Sequence, residues 1–112
     1  MSLTGKKVAI LAEDLYNEFE LWVPYYRMLE GGAQVTLVGP QAETVYQSKH
    51  NLPARTDAAA RDLNGADFDA VIIPGGYAPD RMRRDPGMVA LVREAFAAGR
   101  LVAFICHAGW LS

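Results

Sequence analysis

An α/β fold built on a mostly parallel sheet is what the sequence predicts, and three observations carry that expectation. Short apolar runs of strand length recur at 8–12, 34–38, 68–73 and 101–105. Between them lie stretches with helical periodicity, at 21–29 and 86–98. The runs end in turn chemistry: Glu13-Asp14, Gly39-Pro40, Pro74-Gly75-Gly76 and Cys106-His107-Ala108-Gly109. Strands alternating with helices imply parallel pairing through right-handed crossovers, and ligands then bind beyond the carboxyl ends of the strands.

Val8–Ala12 is read as the first strand. Leu21, Trp22, Tyr25, Met28 and Leu29 then recur at the three-to-four spacing of one helix face. Proline is tolerated in a first turn and disruptive deeper in, so Pro24 predicts a regular helix that begins only shortly before it. That sets Glu20 in the turn at or just before the helix start, above the carboxyl end of the first strand. Gly31-Gly32 supplies a left-handed cap. Gln34–Val38 is the second strand, closed by Gly39-Pro40. Residues 41–57 are weakly patterned and read as a small hairpin and a loop, and Ala58–Leu63 as a short helix. Phe68–Ile73 is a strand cut off by Pro74-Gly75-Gly76. Pro86–Ala98 reads as a helix with proline near its start and Gly99 after its end. Leu101–Ile105, rich in Val, Ile and Phe, reads as a buried strand of the parallel sheet.

A chain of 112 residues is one domain, and 51% hydrophobic with 21% charged residues is globular composition rather than disordered. The net charge of −2 offers no electrostatic footprint for nucleic acid. Arg81, Arg83 and Arg84 form the one basic cluster, and Asp80 and Asp85 beside it favour a solvated or interface-facing turn. The first seven residues are too polar, and the run after them too short, for a signal peptide or a membrane span. A single cysteine makes no internal disulfide, so the cytoplasm is the expected compartment. His50 and His107 with one cysteine lack the spacing of a zinc site, and neither a metal nor another cofactor is expected.

Cys106 stands where the last apolar run meets small residues that allow a sharp turn into a helix. A nucleophile at such a junction is pushed out of the sheet's carboxyl edge among backbone N–H groups, as on a nucleophile elbow. A lone cysteine after an apolar run is more often inert core, but the junction and the adjacent His107 favour the reactive reading. A thiol reacts as thiolate, and the positive end of the following helix, or Glu20 nearby, would support that form. His107 has two readings, general base or hydrogen-bonded structural residue; its backbone N–H is useful in either case. Gly75 and Gly76 let backbone approach a ligand and offer N–H groups as an oxyanion hole. Asp80, Glu13, Asp14 and Glu18 taken alone read as solvated charges. Glu20, Gly75-Gly76 and Cys106-His107 all follow strands, so all three can meet on one edge.

Four segments in the same order resemble the PfpI intracellular proteases of the ThiJ/PfpI superfamily: Glu20-Leu21-Trp22-Val23-Pro24-Tyr25-Tyr26-Arg27, Phe68-Asp69-Ala70-Val71-Ile72-Ile73-Pro74-Gly75-Gly76, Ala78-Pro79-Asp80-Arg81 and Val102-Ala103-Phe104-Ile105-Cys106-His107. The resemblance implies a flavodoxin-like three-layer α/β/α sandwich of the class I glutamine amidotransferase-like kind. It makes Cys106 the nucleophile, Glu20 the carboxyl that contacts its sulfur, and Gly75 with the backbone at His107 the oxyanion hole. It completes a Cys106–His107 triad with an acid from a neighbouring subunit, at the position of Asp80, so a homo-oligomer, dimer or higher, is the implied partner. The implied activity is a cysteine-dependent hydrolase acting on small peptides or on reactive-carbonyl adducts. A glyoxalase- or deglycase-like enzyme, a redox or stress sensor that oxidises Cys106, and a non-catalytic interaction module are the alternatives. Three departures accompany the resemblance. Aspartate replaces the usual glutamate at 80, Ala108-Gly109-Trp110 replaces the usual proline after the elbow, and family members continue well past Ser112. The last is read as the mark of an N-terminal part of a longer domain, with one sheet face left bare.

Overall fold

The computed structural model describes residues 2–14, 16–48, 50–75 and 82–104. In chain order its elements are β1 (Lys7–Leu11), α1 (Glu18–Glu30), β2 (Gln34–Gly39), β3 (Val45–Gln47), β4 (Pro53–Arg55), β5 (Ala58–Ala59), β6 (Ala70–Ile73), α2 (Pro86–Ala97) and β7 (Leu101–Phe104), with 3-10 turns at Ala60–Asp62 and Gly65–Asp67. Five strands form a parallel sheet in the order β5-β2-β1-β6-β7, and β3 and β4 make a separate antiparallel hairpin. The hairpin and the α/β alternation are those the sequence predicts. This is a flavodoxin-like α/β architecture, with helices flanking a mostly parallel sheet.

The chain moves from β1 to β2 on one side of the sheet, and later from β6 to β7 on the other. Right-handed crossovers in opposite directions put α1 and α2 on opposite faces. They also make the gap between β1 and β6 the topological switch point, where connections leave the carboxyl edge in opposite directions and open a crevice. Register keeps that edge level: Ile10 faces Ile72, Leu11 faces Val38, and Ile73 faces Phe104.

The core forms where apolar runs are covered from both faces. Ile10, Leu11, Val38 and Val71 from the sheet meet Leu21 of α1 and Met88 and Leu91 of α2, all fully buried. Burying each such side chain contributes about 1.5–3 kcal/mol. Both helices end in a Schellman motif. Ala33 N–H donates to Met28 O and Gly32 N–H to Leu29 O, with Gly32 at φ +93°. Arg100 and Gly99 repeat the pattern on Ala95 and Phe96, with Gly99 at φ +74°.

Three expectations are corrected. α1 starts at Glu18, six residues before Pro24, because the Asn17 carboxamide oxygen caps it by accepting from Phe19 N (3.0 Å) and Glu20 N (3.2 Å). Pro24 forfeits only the N–H that would reach back to the Glu20 carbonyl, and the cap together with burial of Leu21 holds the first turn. Ala58–Leu63 is not a short α-helix: Ala58 and Ala59 pair with Val38 and Gly39, and a 3-10 turn follows. Asp57 draws the segment alongside β2, its N–H donating to Leu37 O and its carboxylate accepting from Leu37 N, which overrides the helix preference of alanine. The last strand is not buried among the described residues. β7 is the sheet's edge there, with Leu101 65% and Phe104 57% exposed.

The second 3-10 turn packs against α2 with no room for a side chain at Gly65. A Cβ there would overlap the Leu91 carbonyl oxygen and lie 2.7 Å from Ala95 N. Gly65→Ala is therefore expected to destabilise by about 2–3 kcal/mol, since both obstacles are helix backbone and cannot swing aside. Urea unfolding of parent and variant measures it.

Candidate active site

Two of the candidate residues lie on described backbone, and the structure brings them together at the switch point. Glu20 is in the first turn of α1 and is buried; Gly75 follows β6. The Gly75 N–H donates to Glu20 Oε1 at 2.6 Å, and the Asn17 N–H donates to Gly75 O at 3.2 Å. Both hydrogen-bonding groups of Gly75 are thus engaged by one helix N-terminus. Cys106, His107, Gly76 and Asp80 lie outside the described residues.

The arrangement is a capping box opened to admit a neighbour. In the usual form an N-cap side chain binds the backbone of the third helical residue, whose own side chain reaches back to the N-cap N–H. Here Asn17 does its part, but Glu20 reaches Gly75 N instead, and Gly75 O takes the Asn17 N–H that Glu20 leaves. The signal was in the sequence as Asn17 three residues before Glu20, and only the partner was hidden. Two chemical consequences follow. The Gly75 N–H, expected among the oxyanion donors, is engaged by Glu20 in this arrangement. Glu20 Oε1, facing a donor, serves as an acceptor in this arrangement.

Of the acids read as solvated charges, Glu13, Asp14 and Glu18 have structural partners instead. Glu13 Oε1 accepts from Asp14 N, and Asp14 Oδ1 accepts from Gln47 N at 3.0 Å, which ties the segment after β1 to the hairpin. Glu18 Oε1 lies 2.7 Å from His50 Nδ1; the Glu18 side chain is 12% exposed and that of His50 77%. The second oxygen of Glu18 is enclosed without a hydrogen-bond partner among the described residues. The nearby Ser48 hydroxyl, and then His50, hold the Glu18 carboxyl below the usual carboxylate range. Its stabilising contribution is therefore complete above the ordinary carboxylate pKa and is lost only as pH falls through the lowered value. Behind it, the fully buried Tyr16 donates its hydroxyl to Leu52 O at 2.9 Å and accepts from Trp22 Nε1 at 3.3 Å. Burial pushes the Tyr16 phenol pKa up, so this donor stays protonated. Neither Glu18 nor His50 stood out in the sequence, because 32 residues separate them and no pattern joins them.

Among the described residues no cluster of three or more His, Cys, Asp or Glu is placed to hold a metal ion, and no helix is long and apolar enough to cross a membrane.

Comparison with known proteins places the chain among relatives. A family model described as the DJ-1/PfpI family matches residues 6–112. A protein of Pyrococcus abyssi named a deglycase is 38% identical over 101 residues, which are 90% of this chain and 60% of that protein. YraA of Bacillus subtilis, provisionally named a cysteine protease, is 35% identical over 106 residues, 92% of this chain and 61% of that one. The chain thus spans about six tenths of the length of these relatives. In the crystal structure of a two-domain protein of Anabaena variabilis with DJ-1/ThiJ/PfpI-like and ferritin-like domains, the similar part superposes with a TM-score of 0.87 at 40% identity, covering 91% of this chain and 30% of that chain.

Proposed function

Because this chain belongs to the DJ-1/PfpI family, we propose that it serves a cysteine-dependent hydrolase of the PfpI type, with Cys106 as nucleophile and Glu20 as the carboxyl that manages its proton. The observation that carries the reading is the Glu20–Gly75 contact at 2.6 Å, which holds a buried carboxyl in the switch-point crevice. Cys106 is two residues beyond Phe104, the last residue paired to β6, and two residues span at most about 7 Å. In sequence the thiol thus follows the strand beside the one after which Gly75 comes.

The chemistry follows from these placements. Thiolate Cys106 attacks the substrate carbonyl carbon and forms a C–S bond, and the carbonyl electrons move to oxygen. Backbone N–H groups of Gly76 and His107 receive that oxyanion, the Gly75 N–H being engaged by Glu20. When the C–N bond breaks, the departing amine takes a proton from Glu20 or His107, and water then cleaves the thioester and restores the thiol. An Asp80 carboxylate from a neighbouring copy would orient His107, which makes a homo-oligomer part of the proposal, as is action in the cytoplasm. The deglycase name of the Pyrococcus abyssi relative favours a second reading of the same site, in which adducts of reactive carbonyls with amines or thiols are the substrates.

The test is turnover of methylglyoxal adducts of an N-acetylated amino acid and of a fluorogenic peptide, measured side by side. Hydrolysis of either, blocked by one equivalent of iodoacetamide, is the expected result. Failure on both, with a thiol that alkylates no faster than free cysteine at pH 7, would reject the reading.

A further inference from the structure

We propose that Glu18 and His50 form a positioning latch, which fastens the tip of the β3–β4 hairpin to the first turn of α1 and thereby sets the Asn17–Gly75–Glu20 clamp. The inference goes beyond the hydrolase reading and does not depend on it. It starts from an asymmetry. A surface ion pair ordinarily has two mobile, exposed members and contributes little. Here the carboxylate is enclosed, with the Ser48 hydroxyl of the hairpin tip nearby and one oxygen aimed at His50.

Both sides of the latch are stiff. The hairpin tip is closed on itself: the buried Ser48 hydroxyl accepts from His50 N at 3.1 Å and from Leu52 N at 2.8 Å. Ser48 N donates to Leu52 O and Asn51 N to Ser48 O, with Asn51 at φ +63°. On the other side, Glu18 sits between the two residues that hold Gly75. Asn17 precedes it and donates to Gly75 O, and Glu20 follows within the same turn and accepts from Gly75 N. A shift at residue 18 therefore moves both ends of the clamp.

The remaining ties join the hairpin to the chain ahead of the helix. Tyr16 donates to Leu52 O, Tyr16 and Ser48 form a parallel bridge, and Gln47 N donates to Asp14. They keep the hairpin docked when the latch is cut, so the effect of cutting it is confined to the first turn of α1. Glu18 and His50 touch no reacting atom; they act through residues 17 and 20.

Amide hydrogen exchange read by NMR tests the latch. In His50→Ala and in Glu18→Ala the Gly75 N–H is expected to exchange about fivefold faster, the ratio that corresponds to the upper range for a partly exposed pair. The amides of Val8 and Ile10 in the central strand should not change. In His50→Asn the side-chain amide nitrogen occupies the place of Nδ1, and the Gly75 rate should return to that of the parent. Unchanged Gly75 exchange in both alanine variants, acceleration spread through β1, or no rescue by asparagine would each overturn the proposal.

Discussion

Replacing Cys106 with alanine is expected to lower turnover by about a thousandfold or more, on whichever substrate class the protein accepts. The chain contains one cysteine, so no second thiol can take over the attack. The loss should fall on kcat, because the bond to sulfur forms during the reaction and not on binding. Serine at the same place should rescue little, because its hydroxyl ionises far less readily than a thiol. Fold should persist, since Ile10, Leu11, Val38 and Val71 still bury against Leu21, Met88 and Leu91. Steady-state kinetics, with circular dichroism as the control for folding, measures both. Retention of full activity by Cys106→Ala would remove the nucleophile from the mechanism.

Glu20 carries the second large effect, and two substitutions separate its roles. In Glu20→Ala the Gly75 N–H loses its acceptor in a buried position, which costs about 1–3 kcal/mol for the donor left without a partner. Activity should fall with it, because the clamp on the turn after β6 is gone. Glu20→Gln keeps an oxygen for Gly75 N and should unfold close to the parent, but its amide cannot carry a proton to or from the reacting atoms. Its kcat should still drop by about a hundredfold, the usual range for removal of a general acid or base. A glutamine variant as active as the parent would make Glu20 a purely structural residue and assign proton transfer to His107. Thermal unfolding and kcat measured on the two variants give the four numbers needed.

The features legible in the sequence are those with local causes. Apolar runs bounded by Pro74-Gly75 or Gly39-Pro40 end where they do because those residues end strands, whatever surrounds them. Gly32 and Gly99 stop their helices because positive φ is open to glycine at little steric cost. Glu20 could be placed above the carboxyl edge because a helix that follows a parallel strand starts there.

What went astray had distant causes. Pro24 argued for a late helix start, and what overruled it was the Asn17 cap together with burial of Leu21 in the tertiary core. Ala58 and Ala59 looked helical until β2 offered them a partner. Glu18 and His50 are unremarkable separately; their pairing depends on how a hairpin of weak pattern docks on a helix.

Composition and periodicity alone therefore establish an α/β chain with its strands, helix ends and candidate acid in order along one edge, since each depends on a few adjacent residues. Strand order among the described residues and the joining of Glu20 to Gly75 come from the assembled molecule. Those contacts are made between segments far apart in the chain, by backbone groups that every residue carries and that leave no mark on residue identity.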